Sequence, residues 1–266
     1  LPFVHLSGDP EQAYFAAGVT DQIVTDLARF KALFVLSTES TAKYQEQSTD
    51  PQRLKRELGV DYVVDGSVRR ERDQIRLSTR LVDADSGKIV WHYQHVVDHW
   101  DLDHPFERLL VETAIAPDPK EVAWINPKIK PGERRKVVTG IPGKTGVVYT
   151  LDRATGEFLW ARPTIMQNVI KSIDGATGVV TVNPEATFSK LGESKMICPG
   201  AQGGKNWPAG AYNPRTNVMF MPMQNLCGNF TTNTDKRDPS KVYGLDFPTI
   251  IAPGTDKVGA VWAISV

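Results

Sequence analysis

The stretch Leu81–Pro105, LVDADSGKIVWHYQHVVDHWDLDHP, decides how this 266-residue chain divides. Its opening, Asp83-Ala-Asp-Ser-Gly-Lys-Ile-Val-Trp91, reads as a turn followed by a strand. Asp, Ser and Gly supply turn chemistry, while Ile, Val and Trp favour extended backbone. Its end carries two carboxylates two residues apart, Asp101 and Asp103, flanked by Trp100 and His104. Upstream text mixes helical and strand periodicities; downstream text is cut into short strands by Gly, Pro, Asn and Asp.

Toward the start, residues 2–6 form a short apolar run closed by Ser7-Gly8-Asp9-Pro10, a strand and a turn. Phe15, Val19, Ile23, Val24 and Leu27 recur at helical spacing, which predicts an amphipathic helix over 11–30. Phe34–Leu36 reads as a second strand. Asp50-Pro51 opens another helix, an N-cap followed by proline at the first helical position, and Gly59 stops it. Residues 60–71 and 74–82 read as strands joined at Arg72-Asp73, with 89–93 as a third. The order predicts a small α+β domain over residues 1–93. The charged run Arg69–Arg72 reads as a solvated hairpin tip rather than an anion site.

Toward the end of the chain, one phrase recurs. Asp83…Trp91 is echoed by Asp152-Arg-Ala-Thr-Gly-Glu-Phe-Leu-Trp160, and in degraded form by Asp174-Gly-Ala-Thr-Gly-Val-Val. Asp and Gly would make a turn between two strands, and the Trp would pack between neighbouring sheets. Such self-similarity signals radial repetition, so residues 94–266 are expected to form an all-β partial propeller.

Composition narrows the partners. Lys plus Arg equals Asp plus Glu at 31 each, so no global field recruits nucleic acid or an anionic membrane. No apolar run approaches the about 20 residues that span a bilayer, and no signal-like segment opens the chain, which reads as starting mid-strand at Leu1. Two cysteines, Cys198 and Cys227, allow one bridge or two reduced core thiols. His92, His95, His99 and His104 crowd one stretch, yet their spacing matches no usual zinc set. Gly140-Ile-Pro-Gly-Lys-Thr145 suggests a phosphate loop, but that loop's first glycine would fall at Val138, and Val147-Val-Tyr-Thr continues as strand rather than helix.

Two resemblances follow from these residues. LPFVHLSGDPEQAYFAAGVTDQIVTDLARF with ELGVDYVVDGSVRRERDQIRLSTRLVDADSG, over roughly residues 1–82, is similar to the TolB N-terminal-like domain found beside nucleotide cyclases. That resemblance implies a non-catalytic interaction or sensing module. DADSGKIVWHYQHVVDHWDLDHPFERLLV, GIPGKTGVVYTLDRATGEFLW and ICPGAQGGKNWPAGAYNP, within residues 80–266, resemble the pyrroloquinoline quinone (PQQ)-dependent alcohol dehydrogenases. That family implies a propeller of about eight blades, of which this chain would hold about three or four.

The second resemblance assigns roles. It places the carboxylate base of alcohol oxidation at Asp101 and a carboxylate of the lanthanide-using branch at Asp103, so the pair would ligate Ca²⁺ or a lanthanide. The simpler reading is that both acids cap a loop. Lys144 matches a basic residue set against the quinone oxygens, and otherwise reads as an exposed hairpin lysine. Asn206 and Trp207 match a PQQ-contacting position, and otherwise a Trp buried under a loop. Cys198 and Cys227 match a structural disulfide of a periplasmic enzyme. The family's remaining metal ligands and the Trp beneath PQQ precede the matched part, so these residues alone are expected to oxidise a small alcohol little or not at all. Open strand edges would favour self-association, and a scaffold role or a mosaic product without selected function are the alternatives.

Overall fold

The computed structural model describes residues 1–6, 13–30, 33–44, 50–71, 74–96, 101–232, 245–246 and 248–266. They form two compact units, Leu1–His92 and Tyr93–Val266.

The first unit runs β1 (Val4–His5), α1 (Ala13–Ala28), α2 (Thr38–Thr41), a 3-10 turn (Ala42–Tyr44), α3 (Pro51–Leu58), β2 (Tyr62–Glu71) and β3 (Gln74–Asp83). Its sheet has the order β1-β2-β3, with β1 parallel to β2 and β2 antiparallel to β3 from Tyr62↔Asp83 to Glu71↔Gln74. Local chemistry explains α3. The Asp50 carboxylate accepts the Gln52 N–H at 3.1 Å, Pro51 begins the helix, and Gly59 ends it at φ 68°, a conformation that costs a side chain but not glycine. Helix α1 packs through Ala16, with Phe15, Val19 and Ile23 partly buried, against Phe3 and Val68. The hydroxyl of Thr20 accepts the Phe3 N–H at 3.0 Å and donates to Ala16 O at 2.8 Å, so the buried polar atom is satisfied. A second cluster gathers Tyr44, Leu54, Val63, Val82 and Ala84.

Two expected strands do not form. Phe34–Leu36 is irregular, and Phe34 is 93% exposed. A three-residue apolar run without a partner strand has nothing to pair with, and Ser37 instead caps α2 by accepting the Ser40 N–H at 3.3 Å. Residues 89–93 reduce to a single antiparallel bridge, Ile89 to Val82 of β3. The Ser7–Pro10 turn, the Arg72-Asp73 tip, His99 and Trp100 lie outside the described residues.

The second unit is all β: β4 (Leu109–Ile115), β5 (Trp124–Ile125), β6 (Glu133–Gly140), β7 (Val147–Asp152), β8 (Phe158–Pro163), β9 (Ile170–Ile173), β10 (Val180–Val182), β11 (Ser194–Ile197), β12 (Ala211–Asn213), β13 (Val218–Gln224), β14 (Leu226–Thr232), β15 (Leu245–Asp246), β16 (Thr249–Ile251) and β17 (Gly259–Ser265). A 3-10 turn at Pro184–Ala186 is its one described helical element. Four sheets result: β4-β6-β7-β8-β5, β10-β9, β11-β14-β15 with β16 also on β14, and β12-β13-β17. Strand β7 is buried at every position, as a strand covered on both faces must be. One core cluster joins the five-stranded and three-stranded sheets, with Ile115, Val137, Val148, Leu159 and Trp160 meeting Met219, Met221, Met223 and Ile264. Sheets stacked face to face in this way, without a closed barrel, make a partial β-propeller-like arrangement.

The recurring phrase is one turn made three times. The side chains of Asp83, Asp152 and Asp174 accept the N–H groups of Ser86 (2.8 Å), Thr155 (3.1 Å) and Thr177 (2.8 Å). The glycine after each, Gly87, Gly156 and Gly178, sits at φ 69°, 75° and 76°. The second copy joins β7 to β8 and the third joins β9 to β10, while the first closes β3 of the other unit. Trp160 is buried in the shared core, as radial packing requires.

Candidate functional site

The two aspartates are brought to Lys144 by a close docking of two loops. Gly143 makes it possible: a Cβ there would fall 2.3 Å from His104 Cδ2 and 2.7 Å from Asp103 O. With glycine in place, the Lys144 N–H donates to Asp103 O and the Phe106 N–H to Pro142 O, both at 3.0 Å. The Lys144 side chain, 8% exposed, then reaches Asp101 Oδ2 at 2.5 Å and Asp103 Oδ2 at 3.5 Å. The expected alternative of a solvent-exposed lysine is therefore overturned: neighbouring backbone covers its stem.

Asp101 is held in an uncommon state. Its φ is 86°, where a non-glycine residue is strained by about 1–3 kcal/mol unless its surroundings fix it. Burial pushes its carboxyl above the usual carboxylate range, the Lys144 ammonium opposes that, and Asp103 adds to it. A carboxylate with a raised affinity for protons, oriented by an ammonium, has the attributes of a general base.

A second ion pair, not foreseen from the sequence, fixes the loop that carries Asn206 and Trp207. Lys205 is fully buried, and its Nζ donates to Pro208 O at 2.6 Å and Asn206 O at 2.7 Å and lies 3.3 Å from Glu107 Oε1. The same ammonium sits 5.1 Å from the ring centre of Phe106, and Glu107 Oε1 also accepts the Gly210 N–H at 2.6 Å. This loop meets Lys144 through backbone: the Gly204 N–H donates to Lys144 O at 2.7 Å. Trp207 is 76% exposed and meets Phe106 in a T-shaped contact with ring centres 5.6 Å apart, so the expectation of a Trp buried under a loop fails. Cys198 and Cys227 are joined in a disulfide beneath Ala252 and Ile250.

Two of the histidines, His95 and His104, belong to an aromatic stack. His95 lies parallel to His104 at 4.8 Å and edge-on to Tyr149 at 4.6 Å, with Tyr93 stacked on Phe158. Burial, with smaller contributions from His104 and Arg108, pushes the His95 imidazole down to about 3. Four histidines within residues 92–104 were the available signal, but ring stacking is a tertiary fact that spacing does not encode.

The expected cofactors can be tested against these donors. A hard cation takes about six to eight oxygen ligands. Asp101 and Asp103 both face an ammonium, and among the described residues no three His, Cys, Asp or Glu side chains converge. The Asn206 amide spends both ends within its own loop, on Gln202 O at 2.7 Å and on the Trp207 N–H at 2.8 Å. These residues do not by themselves fit a metal or a quinone, and no chemical step is derived through either.

Known proteins of two kinds match this chain. Residues 1–112 match the family described as HilA/YgeH-like transcriptional regulator, second domain. A Rhizobium meliloti protein described as an adenylate cyclase is 45% identical over 91 residues, 34% of this chain and 16% of that protein. The quinohemoprotein alcohol dehydrogenase ADH-IIG of Pseudomonas putida is 32% identical over 187 residues, 68% of this chain and 24% of the enzyme. A europium-containing methanol dehydrogenase of known structure superposes with a TM-score of 0.54 and 26% identity over 70% of this chain and 30% of its own. The chain thus spans less than a third of each relative. Its longer part is similar to quinone-linked alcohol dehydrogenases, and its N-terminal part has a cyclase-like match.

Proposed function

We propose that residues 94–266 are part of a quinoprotein alcohol dehydrogenase propeller, with Asp101 in the position of the base and Lys144 orienting it, and that this stretch alone does not turn over alcohol. The carrying observation is the corner itself: two carboxylates on one buried ammonium, with no third His, Cys, Asp or Glu side chain converging among the described residues, where a Ca²⁺ or lanthanide ion takes about six to eight oxygen ligands. PQQ, the metal and a small alcohol would be met only where more of the propeller surrounds this corner. The disulfide supports an oxidising compartment, the periplasm in the resembled family. Residues 1–93 are read as a TolB N-terminal-like interaction module. The test is dye-linked alcohol oxidation with PQQ and Ca²⁺ or La³⁺. No alcohol-dependent rate above that of Asp101→Asn is expected; a rate that Asp101→Asn removes would refute the reading.

A scaffold reading is favoured by one observation. Strand β17 pairs only with β13 among the described residues, carries no charge or proline, and exposes Val261 at 69%. Such an edge can accept another strand. A concentration-independent monomer in sedimentation would count against it.

A further inference from the structure

The second unit holds a cleft of about 320 Å³, within the range of about 300–1,000 Å³ that small-molecule sites occupy. It is lined by Pro163, Ile165 and Met166 at and after the end of β8, by Asn225 between β13 and β14, by Pro253 after β16, and by Trp262 of β17. None of these belongs to the Asp101–Lys144–Asp103 corner or to the loop of Asn206 and Trp207. The walls are ordered from within the chain. Thr164, buried beside Pro163, spends its N–H and its hydroxyl on Gly146 O at 3.1 and 2.6 Å. Ile165 is pressed between two glycines: a Cβ on Gly146 would lie 2.8 Å from its Cγ1, and one on Gly204 would strike its Cδ1. The Asn225 backbone is engaged at both ends, its N–H with Val258 O at 2.6 Å and its carbonyl with the Ala252 N–H at 2.9 Å, which clasps the segment 252–258. Ala252 packs in turn with the Cys198–Cys227 disulfide. Trp262 packs against the core of the unit, and the Arg162 guanidinium, itself 3.1 Å from Glu121, lies over its ring at 5.9 Å from the centre. Walls already fixed in this way lose little further freedom when a ligand enters.

We propose that this cleft is a binding site for a small uncharged molecule with a flat apolar body and a carboxamide group, held by Trp262 and Asn225. The chemistry of the lining selects that class. Among the described residues that line the cleft none is charged, so an ionised ligand would lose its hydration there without a counter-charge in return. Pro163, Ile165, Met166, Pro253 and the indole of Trp262 offer apolar surface to a flat body. The polar handle is Asn225. Its backbone is engaged, but its side-chain amide makes no hydrogen bond with any described residue. An amide carries both a donor and an acceptor, and a carboxamide on the ligand answers both at once.

Fluorine NMR of the full chain labelled with 5-fluorotryptophan tests this. The chain has 6 tryptophans, and the resonance of Trp262 is identified by its loss in Trp262→Phe. Benzamide and benzoate serve as probes, because they share a shape and differ in charge. Benzamide is expected to move the Trp262 resonance saturably, with a dissociation constant in the millimolar range that suits so small a ligand. Benzoate is expected to bind at least tenfold more weakly, a comparison that needs no variant. Asn225→Leu keeps the size of the side chain and both backbone bonds, and is expected to weaken benzamide at least fivefold. A Trp262 resonance unmoved by benzamide up to its solubility limit overturns the proposal, as does benzoate binding as tightly as benzamide. An Asn225→Leu protein that melts at the unaltered temperature and binds benzamide as before overturns it too.

Discussion

Replacing Glu107 by Ala tests whether the buried Lys205 holds the Asn206–Trp207 loop. The pair is asymmetric: the Lys205 side chain is 0% exposed, whereas that of Glu107 is 38% exposed. Truncating one partner of a fully buried pair costs about 3–5 kcal/mol, because the other charge is stranded out of water. Two features reduce that figure here. Glu107 keeps partial hydration, and the ammonium retains the carbonyls of Asn206 and Pro208 and the face of Phe106. Against this, the Gly210 N–H loses its acceptor. The expected net destabilisation is about 2–3 kcal/mol, which at a urea slope of about 2 kcal/mol/M lowers the midpoint by about 1–1.5 M. Glu107→Gln keeps an oxygen for Gly210 and should cost about half as much. Lys205→Met leaves Glu107 at the rim in water, so the double variant should be less destabilised than the sum of the singles by about 1–2 kcal/mol. Urea unfolding followed by tryptophan fluorescence gives all four values. A Glu107→Ala midpoint within 0.2 M of the unaltered protein (roughly 0.4 kcal/mol) would show that the pair does not hold the loop.

Two further outcomes follow from the same unit. His95 is pushed from an ordinary value near 6.5 to about 3, so between those values the unfolded chain binds a proton that the folded chain refuses. Stability from this group is therefore complete above pH 6.5 and is lost as pH falls toward 3; at pH 5 the loss is about 1–2 kcal/mol. Thermal melts at pH 7 and pH 5 should show this as a drop that shrinks in His95→Phe; an equal drop in both proteins contradicts the assignment. Replacing Cys198 and Cys227 together by Ala opens a loop of sequence separation 29 and should cost about 3–4 kcal/mol, read from urea midpoints. A loss below about 1 kcal/mol would place the constraint elsewhere.

What the sequence disclosed depended on how local the cause was. Helix α3 was legible because its cap, its proline and its terminal glycine all lie within ten residues, Asp50 to Gly59. The β2–β3 hairpin was legible because two strand-like segments follow one another across only two residues, Arg72 and Asp73, and so pair locally. Phe34–Leu36 misled because an apolar triplet forms a strand only if another strand is at hand, which is a tertiary matter. The repeated Asp-to-Gly phrase announced its turn correctly but not its place, since the same turn serves both units. At the candidate site, Lys144 and Asp101 are 43 residues apart and only a family resemblance could join them. Lys205 and Glu107, 98 residues apart, had no such help. A lysine is read as solvated by default, and its burial here arises from two carbonyls and a ring that the fold alone assembles.

Residues 94–266 are proposed to carry a quinoprotein-like corner closed on itself by Lys144. Equilibrium dialysis of the full chain against PQQ with Ca²⁺ or La³⁺, followed by quinone absorbance and elemental analysis, tests it most directly. Neither the quinone nor the metal is expected to be retained in stoichiometric amount. Retention of one quinone and one metal ion per chain, lost in Asp101→Asn/Asp103→Asn, would contradict it.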